Sequence, residues 1–161
     1  MPAGARRALA GLCLLAASSC AFRHIDLLQD KRIALVGLQD GATVSVPFDL
    51  SWRVPSPIAP GHEVQFAVFV DRTPIKPGQT LRAVVPSRDL GCLHDPACPD
   101  DAYLARHGVY VVSDPRVTVP RMYRATKKRE AHRVIVVILV DGKRSGEGAF
   151  SRTVYLPAVK T

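Results

Sequence analysis

The chain has 161 residues, with 22 Lys and Arg against 14 Asp and Glu, a formal net charge of +8. Its 47% hydrophobic content is that of a folded chain rather than a disordered one, and the absence of Asn excludes N-x-[ST] glycosylation. Arg outnumbers Lys sixteen to six, which codon bias in a GC-rich genome explains, while a basic balance can mean nucleic acid or an anionic membrane surface as partner.

Arg6 and Arg7 open the chain as a short basic stretch, followed by an apolar run at residues 8–17 (ALAGLCLLAA) and small residues up to Cys20. This order is that of a secretory signal peptide. Ten residues rise about 15 Å as a helix, half of a hydrocarbon core, which is too short for a transmembrane span. The end of the segment, Ala17-Ser18-Ser19-Cys20, resembles the lipobox of bacterial lipoproteins. That resemblance implies cleavage after residue 19 and acylation of Cys20 by palmitate-type chains. The mature chain would then be an envelope protein held on a membrane and facing the periplasm or cell exterior. Two or three chains make such an anchor stable where one does not. The alternative is an ordinary small-residue cleavage that leaves a plain secreted protein.

With residues 1–19 removed, 142 residues remain, enough for one domain, and their net charge is +6. Residues 20–30 read as a tether and residues 31–161 as the domain. Cys13 leaves with the signal and Cys20 is taken by lipid, so Cys92 and Cys98 remain as an even pair. In an oxidising compartment such a pair is expected to be a disulfide.

Along the domain, residues 31–38 form a first short apolar strand, and Asp40-Gly41 a turn. In residues 43–54 (TVSVPFDLSWRV), Val44, Val46, Phe48, Leu50, Trp52 and Val54 alternate with polar positions and Pro47, a period-two strand. Pro47 suggests an edge or a bulge, and Trp52 a core anchor in phase with Leu50. Residues 63–71 form the next strand, with Val64, Phe66, Val68 and Val70 on one face. Residues 80–85 read as a short strand, and residues 109–112 and 116–119 as one interrupted strand or two. Residues 132–140 (HRVIVVILV) are apolar on both faces, as in a central strand covered on both sides. A hairpin loop at Asp141-Gly142 leads into residues 148–156.

About seven short strands argue for an all-β fold, an antiparallel two-sheet sandwich. DGATVSVPFDLSWRV and VILVDGKRSGEGAF resemble the Ig-like and fibronectin type III-like domains of bacterial surface proteins. The antibody-type cysteine pair between the sheets is absent.

Residues 86–108 interrupt the strands as a loop insertion, long enough to be weighed for function. Pro99 and Asp100-Asp101 start one short helix there, and Gly108 ends it. Its C-x5-C loop and CPD-x-x-YL helix are similar to those of uncharacterised exported bacterial proteins, a likeness that implies no function. The alternative reading of this insertion is a metal or enzymatic site built from Cys92, His94 and Cys98, with His107 or Asp95 as the fourth ligand. The C-x-H-x3-C spacing is not a standard zinc pattern.

Arg121, Arg124, Lys127, Lys128, Arg129 and Arg133 face one acid, Glu130, in residues 121–133. They offer contact with an anionic lipid or envelope surface, against the plainer reading of a solvated inter-strand loop. Export disfavours nucleic acid as their partner. His62-Glu63 lacks the second His of a zincin, and Gly146-x-Gly148 lacks the third glycine of a dinucleotide loop. No G-x-S-x-G or P-loop is present, and His132 reads as a sandwich-edge residue. The expectation is a non-catalytic binding or structural domain without cofactor, its ligand not named by the sequence.

Overall fold

The computed structural model describes residues 32–54, 63–123, 131–140 and 145–155. Strands dominate: β1 (Ala34–Val36), β2 (Ala42–Thr43), β3 (Phe48–Arg53), β4 (Val64–Val70), β5 (Val109–Val112), β6 (Arg116–Val119), β7 (Ala131–Val140) and β8 (Ser145–Tyr155). Between β4 and β5 lie a 3-10 turn (Leu81–Val84) and two helices, α1 (Leu90–His94) and α2 (Asp101–Arg106). The smaller sheet has the order β1-β3-β6 and the larger β2-β8-β7-β4-β5. All pairings are antiparallel except β2 with β8, which is parallel.

The all-β class is as expected, with differences in detail. Among the described residues there are eight strands rather than about seven, and the insertion carries two α-helices rather than one. The run 43–54 is not one strand. It breaks at 44–47, so that β2 joins the larger sheet and β3 the smaller. Pro47 stands in the break, where a residue without an N–H takes nothing from a ladder. Val46, expected inward, is exposed, because the alternation holds only from Phe48 onward. Residues 109–112 and 116–119 are two strands in different sheets. Residues 81–84 form a 3-10 turn rather than a strand, with Leu81 and Val85, four apart, both buried.

Leu50 and Trp52 point between the sheets while Arg53 is exposed, the outcome of period-two alternation. They pack with Ile33, Phe66, Val68, Val134 and Val136, and the Trp52 and Phe66 rings meet edge-on at 5.2 Å. The pattern of β4 predicts one buried face, and the strand buries both. Ala67, Phe69, Ile135, Val137 and Leu139 turn the other way and are covered by Ile75, Leu81 and Leu104. The whole β4–β5 connection, residues 71–108 with the insertion at its end, is therefore a third layer, a cap on the larger sheet. This explains why β7 is apolar on both faces.

Strand polarity defines two ends of the domain. Val70 pairs with Val134, Phe69 with Val109 and Phe48 with Val119, which brings Asp71, Gly108, His132 and the exit of β6 to one end. At the other end Ala34 pairs with Arg53 and Ser51 with Arg116. The chain enters the fold at this second end.

Candidate functional site

Asp71, immediately after β4, is the centre of a dense hydrogen-bonded cluster. Its φ of +54 is left-handed, a conformation that Asp tolerates better than most residues. Its Oδ1 accepts the Arg133 backbone N–H at 3.1 Å, and Oδ2 accepts the Tyr123 backbone N–H at 3.1 Å. The His132 Nδ1–H donates to Oδ2 at 2.7 Å, with both side chains almost wholly buried. The Asp71 N–H returns a bond to the Arg133 carbonyl at 2.9 Å. One carboxylate thus ties together the end of β4, the exit of β6 and the start of β7.

His132 is correspondingly not a sandwich-edge residue. It lies on β7, between β4 and β8, and is only 4% exposed. A carboxylate on Nδ1 is how catalytic histidines are oriented, leaving Nε2 as base. The Asp71 carboxylate fixes the His132 ring through Nδ1 and so ties the start of β7 to the end of β4.

Around the clamp the chain packs closely. The Gly108 carbonyl accepts the Val70 N–H at 2.8 Å. A Cβ on Gly108 would stand 2.8 Å from the Val70 carbonyl oxygen and 2.9 Å from the Tyr123 ring, and its φ is +79. Only glycine fits there. The Tyr123 hydroxyl donates to the Ala105 carbonyl at 2.5 Å, and the Tyr110 hydroxyl lies 2.8 Å from it. Desolvation and this second phenol together push the Tyr110 hydroxyl well above its ordinary value. The Arg121 guanidinium stacks over the Tyr123 ring at 5.0 Å.

The cap has its own polar frame. Asp89 precedes α1 and accepts the Cys92 N–H at 3.2 Å, while its other oxygen accepts the Tyr103 hydroxyl at 2.8 Å. That hydroxyl and the Cys92 amide hold the Asp89 carboxyl below the usual carboxylate range. Burial, with Asp89 as hydrogen-bond partner, pushes the Tyr103 phenol up. Asp100 caps α2 by accepting the Tyr103 N–H at 2.6 Å. The Arg82 guanidinium donates to the carbonyls of Leu93, Asp95 and Cys98, closing the loop that the disulfide staples.

Cys92 and Cys98 form that disulfide, with Cα atoms 5.2 Å apart. Their sulfurs are not thiolate ligands in this state. His94 is exposed in the last turn of α1, and His107 stacks on Tyr103 at 4.2 Å with its ring Nδ1–H directed to the Tyr103 carbonyl at 2.8 Å. Among the described residues no three His, Cys, Asp or Glu side chains are gathered as a metal site.

Of the basic segment, Arg121 and Arg133 are exposed at the Asp71 end, while Arg124, Lys127, Lys128 and Arg129 lie outside the described residues. Cys20 and the signal segment also lie outside them. No helix among the described residues is long and apolar enough to cross a membrane.

The sequence alone does not single out Asp71, Tyr110, Tyr123, Arg82 or Asp89. An acid directly after an apolar strand is the one signal for Asp71, and nothing links it to His132, 61 positions away. No protein-family model matches the chain, and neither a curated protein nor a solved structure does.

Proposed function

We propose that the protein is an exported lipoprotein, anchored through Cys20, whose domain serves a non-catalytic binding or structural role in the cell envelope. The observation that carries this is the order of residues 6–20: basic start, ten-residue apolar run, small-residue exit, cysteine. The Cys92–Cys98 disulfide supports it, since such bonds persist in oxidising compartments.

We read the domain as Ig-like. Its first two strands split between sheets, β1 joining β3 and β2 running parallel to the last strand, and β3-β6 faces β8-β7-β4 across the core. Such a two-sheet arrangement supports that reading. The variation is in the core, where Trp52 on β3 supplies the aromatic anchor and, among the described residues, no disulfide crosses between sheets.

The basic composition of residues 121–133 supports contact with anionic envelope material. A Cys20→Ser variant tests the anchoring: it should leave the membrane fraction or accumulate uncleaved. Membrane fractionation and processing identical to the parent protein would refute the anchor.

The second reading, a metal or enzymatic site on the insertion, has one observation in its favour, the nearness of His94 to the cysteines in sequence. Thiol titration of the purified mature protein separates the two readings. Two reactive thiols with bound metal favour the second.

A further inference from the structure

Four arginines that the sequence scatters over residues 72–133 are brought to the Asp71 end of the domain. Arg72 follows Asp71 directly, and Arg133 is held by the same carboxylate through its backbone N–H. Tyr123, whose own N–H binds Asp71, carries Arg121 stacked on its ring and reaches the Ala105 carbonyl beside Arg106. Arg106 in turn lies 5.9 Å over the Tyr103 ring, and Arg72 and Arg106 both act electrostatically on the Tyr103 hydroxyl. Arg106, Arg121 and Arg133 are exposed.

Among the described residues, the nearby acids are directed away from the exposed ends of these arginines. The Asp71 carboxylate is turned inward and almost wholly buried against His132. Asp89 accepts the Tyr103 hydroxyl, and Asp100 and Asp101 stand at the opposite end of α2 from Arg106. Arg121 is held by Tyr123 through both the ring face and a side-chain hydrogen bond, and a guanidinium fixed in this way has less side-chain freedom left to lose when its remaining N–H groups meet an oxyanion.

The chain enters the fold at the other end, where Ala34 pairs with Arg53. We propose that the Asp71 end is a docking face for a phosphate-bearing polymer, presented on the side of the domain away from the anchoring membrane. The face is defined by Arg72, Arg106, Arg121 and Arg133, with Asp71 as the positioning residue. Its orientation rests on the lipoprotein reading; the face itself does not.

The experiment uses the acylated mature protein in neutral phosphatidylcholine vesicles, with long-chain inorganic polyphosphate as probe at several salt concentrations. The pair Arg106→Gln/Arg121→Gln should weaken binding about tenfold or more, and should lower the salt slope by about 0.7 for each phosphate no longer neutralised. The pair Arg53→Gln/Arg116→Gln removes the same charge from the opposite end and should stay within about twofold. Equal weakening by both pairs would mean attraction by net charge alone and would overturn the face, as would no binding. Adding anionic phosphatidylglycerol should leave polyphosphate binding in place. Its disappearance would mean that headgroups occupy the face, which overturns the orientation. The Cys20→Ser protein in solution carries the same four arginines. The same arginine dependence there supports the face even if the anchor reading fails, and its absence there overturns the face.

Discussion

Trp52 offers the sharpest perturbation, because its ring and its N–H make opposite contributions. The side chain is 3% exposed, lies between the sheets and meets Phe66 edge-on, so Trp52→Ala opens a cavity between two sheets whose strands are hydrogen-bonded in place. Such a truncation costs about 3–5 kcal/mol. The indole N–H, however, finds no hydrogen-bond partner among the described residues. A buried unpaired donor costs about 1–3 kcal/mol, and Phe removes that cost while retaining most of the apolar ring. Trp52→Phe should therefore stay within about 1 kcal/mol of the parent, the smaller ring offset by removal of the donor. The assay is urea unfolding followed by far-ultraviolet circular dichroism, since Trp52 is the only tryptophan and its fluorescence disappears in both variants. With a slope of about 2 kcal/mol/M, the Ala variant should drop roughly 1.5–2.5 M in midpoint and the Phe variant less than about 0.5 M. Arg53→Ala, exposed on the opposite face, should shift by no more than about 0.5 kcal/mol. Equal destabilisation by Ala and Phe would refute the reasoning, because the N–H would then have to be making a bond that stabilises the core.

Asp71→Asn keeps a residue suited to the left-handed backbone but offers one oxygen to three donors, so a buried N–H is left unpaired and stability should fall by about 1–3 kcal/mol in a thermal or urea melt. Gly108→Ala should cost at least about 2 kcal/mol, through its φ of +79 and the close approach to the Val70 carbonyl; a neutral result would contradict that packing. Replacing Cys92 and Cys98 together by Ser should remove about 2 kcal/mol, and amide exchange should rise in the cap before it rises in β7. The Asp89–Tyr103 bond gives a pH window. The Asp89 value is depressed from 3.8, so its contribution is present above the unfolded value and lost as pH falls through the folded one. The Tyr103 value is raised from 10.0, so its contribution is present below that value and lost as pH rises through the folded one. The cap should loosen on both sides of that window, and Tyr103→Phe should flatten both limbs in amide exchange at Cys92.

Much of the sheet arrangement is legible in the sequence because its signals are local. The phase of Leu50 and Trp52 follows from alternation within one strand, and residues 132–140 announce a two-sided strand by being apolar throughout. The pattern of β4 says less than the strand does, for a physical reason. Ala67 and Phe69 look like an outward face unless a third layer covers them, and that layer is the β4–β5 connection, whose position no period in β4 encodes. Residues 81–84 read as strand because Leu81 and Val85 satisfy a short apolar strand as well as one tight turn. Helix α1 leaves little trace because it is five residues long and contains Gly91. The Asp71 clamp is illegible for a different reason: it joins residues from three strand ends, and each end is unremarkable in sequence until the topology brings them together. The arginine face shares this property, since only Arg121 and Arg133 fall within the basic run that the sequence displays.

The central claim is that the chain is cleaved before Cys20 and lipidated there, and mass spectrometry of the N-terminal peptide of the membrane-extracted protein tests it most directly. The mature chain should begin at Cys20 and carry acyl chains on that residue. An unmodified N-terminus at Ala21 or any later residue, or an intact chain from Met1, would contradict it.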